Sequence, residues 1–319
     1  MRAVQVTGSK ASYQVTLSDS LPAPTPQGCH VLVRVRAAGI TADEVTWPEL
    51  YDSASRVPGH EVSGVVEAVG PDYRGPAAVG DGVFAMLGAA AGQGAQADYA
   101  IASPDEIAPK PPSLSHAQAA ALPLPILTAW EAIFERAALP SGARVLVTGA
   151  SGAVGVMLVQ LAARVLGAHV TGLAAPSNHA LVRDVGASHV LDYNDPEWQS
   201  SVTEMDAVFD TVGGQTLARS CNTVKRDGIV VTVADPPPPW ALGKEEHGEL
   251  SRHADVRRVY FVVTSRGSTL SKVAALLEGG QVQPLPVKVF PAGDALDAWA
   301  YARKRGREAK AVIEFSAGA

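Results

Sequence analysis

In the first third of the chain, short apolar runs alternate with turn residues. Ala3–Val6, Val31–Ala37, Val62–Val69 and Gly82–Met86 are separated by Pro22, Pro24, Pro26, Pro58-Gly59 and Gly80-Asp81. This pattern predicts an antiparallel, barrel-like domain. From Ser115 to Ala137 an Ala/Leu-rich stretch with helical spacing is broken by Pro123 and Pro125, and beyond it the texture changes. Nearly unbroken Val/Ile/Leu runs at Arg144–Val147, His169–Leu173, His189–Leu191, Ala207–Phe209, Ile229–Val233 and Val259–Val263 alternate with helical patterns at Ala153–Leu166, Asn178–Val185 and Gln215–Thr223. Such runs suit a parallel sheet covered on both faces, so the middle of the chain reads as a doubly wound α/β domain. A helix over Thr269–Glu278 precedes two β-like runs, Pro286–Phe290 and Ala309–Phe315, whose texture matches the first domain. The expected organisation is therefore a domain of residues 1–118 completed by 286–319, with a domain of residues 119–285 inserted into it. The polar, proline-led segment Asp235–Asp255 reads as an exposed loop.

The strand-to-helix junction RVLVTGASGAVG carries Gly149, Gly152 and Gly155. Where a strict GxGxxG begins with glycine, this chain has Ala150. Gly152 would let the backbone approach a pyrophosphate, Gly155 would let the helix pack on the strand, and the helix N-terminus would offer oriented N–H groups to the anion. The turn from Gly149 to Gly155, Ser151 included, is thus the expected dinucleotide site. An NAD site ordinarily places a carboxylate at the end of the second strand, about 20 residues on. Here that place holds Gly172-Leu173-Ala174-Ala175, followed by Ser177, Asn178 and His179. Neutral donors without a carboxylate favour NADPH, although no Lys or Arg clamp is obvious.

At 319 residues, with 47% hydrophobic and 18% charged positions, the chain has material for two domains. A net charge of -6 gives no reason to expect nucleic acid or an anionic membrane, so a small-molecule substrate is the expected partner. No run approaches the roughly 20 apolar residues of a membrane span, and no signal-like segment opens the chain. Cys29 and Cys221 are far apart and form neither a disulfide framework nor a thiolate metal site. These features favour a cytoplasmic protein.

Seven phrases, in order, carry a family resemblance: VRVRAAGIT at Val33–Thr41, VPGHEVSGVVEAVG at Val57–Gly70, VGDGVF at Val79–Phe84, AAALPLPILTAWEAI at Ala119–Ile133, the glycine turn, VGASHVLDY at Val185–Tyr193 and DAVFDTVGG at Asp206–Gly214. Together they resemble the zinc-independent branch of the medium-chain dehydrogenase/reductase superfamily, the quinone oxidoreductase and enoyl or enone reductase group. The resemblance implies a GroES-like β-barrel domain, a Rossmann domain with a doubly wound, parallel six-stranded sheet, an active site in the cleft between them, and homodimers. By position it implies that Ala150, Gly152, Ala153 and Val154 line the pyrophosphate. Ser177, Asn178 and Tyr193 would meet the adenosine 2′-phosphate end, Thr128 the nicotinamide ribose, and Phe261 with Val263 the nicotinamide edge. Lys310 matches the family's C-terminal lysine near the cofactor, with Ala309 in place of the usual preceding glycine.

Zinc members of the superfamily hold their metal with a cysteine, the histidine of a GHE motif and a second cysteine. This chain keeps Gly59-His60-Glu61 but has Thr41 and Leu124 at the cysteine positions, which leaves His60 without a ligand set. The structural zinc loop has no counterpart, since Gly88–Ala97 is Gly and Ala apart from Gln93 and Gln96. No metal is expected, and His60 and Glu61 read as residues that satisfy backbone groups and shape the site. Without a Lewis acid, reduction of an enone, enal or quinone is easier than alcohol oxidation, because charge arriving with hydride delocalises into an enolate. Thr41, Tyr51 and the Trp130 indole are candidate donors to the substrate carbonyl, with Trp47 and Tyr51 also read as pocket wall. A pathway-specific enoyl reductase and a non-enzymatic, crystallin-like NADPH-binding protein are the alternatives.

Overall fold

The computed structural model describes residues 1–52, 56–88, 94–244 and 255–315. Parts of the Gly88–Ala97 and Asp235–Asp255 segments lie outside the described residues. In chain order the strands are β1 (Ala3–Ser9), β2 (Ser12–Ser18), β3 (Val31–Gly39), β4 (Glu61–Val69), β5 (Gly82–Met86), β6 (Tyr99–Ala102), β7 (Ile107–Pro109), β8 (Arg144–Thr148), β9 (His169–Ala174), β10 (His189–Asp192), β11 (Met205–Asp210), β12 (Val224–Thr232), β13 (Arg257–Tyr260), β14 (Val287–Pro291) and β15 (Lys310–Glu314). The main helices are α1 (Pro48–Asp52), α2 (His116–Ala120), α3 (Pro123–Trp130), α4 (Ala153–Gln160), α5 (His179–Asp184), α6 (Gly214–Cys221), α7 (Gly267–Glu278) and α8 (Ala295–Ala302). Among the described residues no helix is long and apolar enough to cross a membrane.

The chain divides into two compact units, one of residues 1–124, 264–280 and 284–319, the other of residues 125–263 and 281–283. The second unit is built on a six-stranded sheet in the order β10-β9-β8-β11-β12-β13, with every pairing parallel. Its central strands bury almost every side chain, as a sheet covered on both faces demands. Leu146, Leu173, Val208, Val230, Met205 and Trp198 belong to one core cluster of this unit, each such apolar side chain contributing about 1.5–3 kcal/mol on burial. The helix expected over Ala153–Leu166 is α-helical to Gln160 and widens to a π-turn over Leu161–Leu166 before a left-handed Gly167 ends it. β12 begins at Val224, five residues before the expected run. Its polar Lys225-Arg226-Asp227 start escapes an apolar pattern, and the Lys225 ammonium lies 2.8 Å from Asp206 on β11.

The first unit holds a seven-stranded sheet in the order β14-β15-β3-β4-β5-β7, with β6 also paired to β3, and a β1-β2 ribbon. The C-terminal strands β14 and β15 belong to it, β15 pairing antiparallel with β3. Its core is centred on Val33, Val35, Val62, Phe315 and Trp299. Trp299 comes from α8, a helix the sequence reading did not anticipate, although Ala295, Ala298, Trp299 and Ala302 follow a helical repeat and are all buried. The indole N–H of Trp299 donates to Gln96 at 2.9 Å.

The expected boundary of residues 119–285 departs from this division chiefly at α7. That helix belongs to the first unit because the Gly267 N–H donates to the Asp105 carbonyl, and the Glu278 carboxylate accepts from the Ser113 N–H at 3.1 Å and hydroxyl at 2.6 Å. Gln281–Gln283 return to the second unit, where both ends of the buried Gln160 amide hold Gln283: its Nε2 donates to the Gln283 carbonyl at 3.1 Å and its Oε1 accepts from the Gln283 N–H at 2.8 Å.

Candidate active site

In the second unit the glycine turn joins the C-terminal end of β8 to α4. Gly149 has φ +61°, and an added Cβ on it would meet the Thr211 hydroxyl at 2.4 Å. Gly155 is held even more closely, since a Cβ there would fall 2.1 Å from the Gly149 carbonyl. Gly152 caps the helix in an extended conformation without any side-chain hydrogen bond. The first-turn N–H groups of a helix have no intrahelical acceptor, so this end is a fixed positive site of the kind that takes a phosphate. Ala150 is fully buried and its N–H donates to Leu173 at 3.1 Å, which ties the turn to the end of β9. The Asn178 amide donates to the Ser151 hydroxyl at 3.2 Å, joining the turn to the neutral segment after β9. The arrangement fits a dinucleotide pyrophosphate, with Ala153 and Val154 in the first turn and Gly155 packed beneath.

Of the remaining predicted contacts in this unit, Ser177 and Tyr193 are exposed at the ends of β9 and β10. Asp192, which the sequence reading did not weigh, lies opposite Ala174 in the β9-β10 register, and its Oδ1 accepts from the Asn194 N–H and side-chain amide, both at 2.9 Å. Thr128 is buried, Trp130 is half-buried with its ring 4.5 Å from that of Phe134, and Val263 is half-buried. Phe261 is buried beneath the Arg136 guanidinium, 5.1 Å from its ring centroid, and that guanidinium pairs with the buried Glu131 carboxylate.

Asp210, at the end of β11, was also missed. Its carboxylate is 1% exposed. It accepts from the Thr148 hydroxyl at 2.6 Å, the Thr232 hydroxyl at 2.7 Å and the Gly213 N–H at 3.0 Å, clasping the ends of β8 and β12 directly behind the glycine turn. The neighbouring Thr211 hydroxyl donates to the Thr148 carbonyl at 3.0 Å.

In the first unit three strand ends converge on Thr41. Val312 of β15 pairs with Gly39 of β3, and Val62 of β4 pairs with Ala38, so Lys310 and Glu61 flank the residues that follow β3. The Lys310 ammonium is ion-paired to Glu61 Oε2, the Thr41 hydroxyl donates to the same oxygen at 3.3 Å, and the Leu124 backbone N–H donates to Glu61 Oε1 at 3.1 Å. Burial pushes the Lys310 ammonium down from its ordinary pKa, against the pull of Glu61. Next to this group the buried Glu44 takes the Gly59 N–H and, at 3.0 Å, His60 Nδ1 on its Oε1, while its Oε2 is buried without a hydrogen-bond partner. The Trp47 ring lies 5.1 Å from that of His60. Tyr51, predicted as a substrate donor, gives its hydroxyl proton to the Val45 carbonyl at 2.7 Å, which leaves it a wall residue beneath the Arg56 guanidinium.

Residues 27–112 match the family described as alcohol dehydrogenase GroES-like domain, and residues 185–313 that described as zinc-binding dehydrogenase. The chain is 31% identical to the probable zinc-binding oxidoreductase, mitochondrial, of Arthroderma benhamiae over 312 residues, covering 92% of this chain and 91% of that protein. It is 30% identical to the NADPH-dependent alkenal/one oxidoreductase, chloroplastic, of Arabidopsis thaliana, over 93% of this chain and 75% of the relative. The chain belongs to the medium-chain dehydrogenase/reductase superfamily, in its quinone oxidoreductase and enone reductase branch. A solved structure of an alcohol dehydrogenase superfamily protein from Novosphingobium aromaticivorans has the same fold, with a TM-score of 0.84 at 26% identity, covering 99% of this chain and 100% of that one.

The superfamily's metal positions can be read against this geometry. At the first cysteine position Thr41 donates to Glu61, at the second the Leu124 backbone does the same, and His60 turns Nδ1 to Glu44. Among the described residues no group of three His, Cys, Asp or Glu could hold a metal ion. Glu44 did not enter the sequence reading, because nothing in the local pattern marked it as buried.

Proposed function

We propose that this protein is an NADPH-dependent reductase of activated C=C bonds or quinones that works without zinc. The observation that carries the reading is at the superfamily's two cysteine positions: the Thr41 hydroxyl and the Leu124 backbone N–H both donate to Glu61, which also pairs with Lys310. The relative from Arabidopsis thaliana supports the substrate class by its name. When bound, NADPH supplies the hydride. The turn from Gly149 to Gly155 would hold its pyrophosphate through backbone N–H groups, with Ser151 and Asn178 fixed to one another beside it. Ala174, Ala175, Ser177 and Asn178 present no carboxylate to the ribose, which favours a 2′-phosphate over a bare hydroxyl. Thr128, Phe261, Val263 and Tyr193 complete the proposed cofactor contacts. The Trp130 indole is the proposed donor to the substrate carbonyl, whose negative charge grows as hydride arrives, since the Thr41 hydroxyl, like that of Tyr51, is already given to a protein acceptor.

The test is steady-state oxidation of NADPH across a panel of enones, enals and quinones, with the protein's metal content measured in parallel. Turnover is expected with at least one class, slower by about tenfold or more with NADH, and unchanged by chelator. Stoichiometric zinc whose removal abolishes turnover would overturn the metal-free reading. A flat trace with every acceptor would leave a cofactor-binding protein in place of an enzyme.

A further inference from the structure

In the second unit, the segment that leaves β12 carries a buried donor without an acceptor. After Thr232 the chain runs through Pro236, Pro237, Pro238 and Pro239 to Trp240. Proline lacks a backbone N–H, so four successive residues have none to offer a ligand. Trp240 follows on a short 3-10 turn, Pro239–Leu242. That turn is tied at both ends: the Ala241 N–H donates to the Pro238 carbonyl at 2.9 Å, the Gly243 N–H to the Trp240 carbonyl at 3.2 Å and the Lys244 N–H to the Pro239 carbonyl at 3.1 Å. Pro238 enters it with φ -65° and ψ 151°, close to polyproline geometry. A proline run is stiff, so it holds the turn in place at little further cost in entropy. Trp240 is half-buried, and its indole N–H is buried with no hydrogen-bond partner among the described residues. Trp299, in the first unit, has the ordinary arrangement, its N–H given to Gln96 at 2.9 Å. An unpaired buried donor costs about 1–3 kcal/mol.

The sheet order β10-β9-β8-β11-β12-β13 reverses direction between β8 and β11, and sheets of this kind bind ligands outside the carboxyl ends of their strands at that point. The glycine turn follows β8 and the adenosine side lies toward β9, so the nicotinamide half of a dinucleotide falls toward β11 and β12. The chain after β12 adjoins that ground. The Val233 N–H donates to the Asp210 carbonyl at 3.0 Å. A Cβ on Gly213 would meet that of Ala234 at 2.9 Å, and one on Gly149 would meet the Val212 side chain at 3.0 Å. The glycine turn, the end of β11 and the start of the Trp240 segment are thus contiguous. A nicotinamide presents one strong neutral acceptor there, the carboxamide oxygen, which suits a neutral indole donor.

We infer that the Trp240 indole N–H donates to the carboxamide oxygen of the bound nicotinamide and so helps set which way that ring lies. This rests on the proposed function, which supplies the cofactor. The N–H is closed to water in the free chain, so the contact forms as the indole turns about its two side-chain torsions toward the crevice. The turn is favoured because it gives an unpaired donor its partner.

Trp240→Phe keeps an aromatic ring and removes the donor. The chain has five tryptophans, and the indole N–H resonance missing from the nitrogen-15 spectrum of this variant is that of Trp240. In the unsubstituted protein that resonance should move downfield when NADPH is added and stay in place with 2′,5′-ADP, which has the adenosine half alone. The variant should bind NADPH about fivefold more weakly and 2′,5′-ADP equally well. Its melting temperature without cofactor should not fall, because the lost group had no partner. A resonance that stays put while calorimetry shows NADPH bound overturns the inference alone. So does a shift that 2′,5′-ADP also produces, or one that appears only when an enone joins NADP⁺, which assigns the donor to the substrate. A variant that melts lower but binds NADPH as before assigns the indole a purely structural role and also overturns it. NADPH that does not bind at all overturns the proposed function, and the inference with it.

Discussion

The partners of the half-buried His116 locate one of its protons. The Ser63 hydroxyl donates to the Val83 carbonyl at 2.9 Å, so it accepts from His116 Nδ1, 2.8 Å away, which puts a proton on Nδ1. Burial first, then Lys110 and Arg36, press its pKa from 6.5 down to about 4. A histidine depressed in the folded state binds its proton more readily when unfolded. Its contribution to stability is thus complete above pH 6.5 and is lost as pH falls toward about 4. His116→Gln should flatten that part of the stability profile, so the gap between the two proteins' melting temperatures should change across this window. An unchanging gap would contradict the assignment. Asp210 invites a second substitution. Removing its carboxylate in Asp210→Ala strands two buried hydroxyls and an N–H, at a cost of about 2–5 kcal/mol. Urea unfolding reads that loss, and a variant as stable as the parent would show that Thr148 and Thr232 find other acceptors. Neither Asp210 nor Glu44 was legible in the sequence, because Glu44 acts through Gly59 and His60, 15 and 16 residues away, and Asp210 chiefly through Thr148 and Thr232, 62 and 22 residues away.

Elements were legible where burial is one-sided or complete. The Val/Ile runs of β8, β9 and β11 announce a parallel sheet because both faces are covered. By contrast, β2 alternates exposed with half-buried positions and β7 has only three residues, so neither leaves a strong periodic signal. The placement of α7 was misread for a different reason: its helical pattern is local, but the contacts of Gly267 and Glu278 that assign it to the first unit come from residues 105 and 113. The glycine turn was legible as an element, and its tolerances are now specific. Gly155→Ala places a methyl group 2.1 Å from the Gly149 carbonyl, which should cost about 1–3 kcal/mol of stability. It should also weaken NADPH binding, by about tenfold for each 1.4 kcal/mol lost at the turn. Calorimetric titration of the folded variant checks this, and unaltered affinity would mean that the turn does not hold the pyrophosphate.

For the whole molecule, the two-part organisation and the return of the C-terminal strands to the first unit follow from the change and restoration of strand texture along the chain. The family assignment adds what texture cannot, because it compares positions rather than patterns. Thr41, His60 and Leu124 acquire meaning only beside the superfamily's metal ligands, and the structure then shows which partner each one holds. The proposed conjugate reduction draws on that set of contacts, and the proposed preference for NADPH on the neutral segment after β9. The most direct test is the fate of the transferred hydrogen when NADPH carrying deuterium at its transferable position is turned over with an enone in ordinary water. The account predicts one deuterium on the carbon β to an intact carbonyl. Deuterium on the carbonyl carbon of an alcohol product would contradict it, because that outcome belongs to carbonyl reduction and not to an activated double bond.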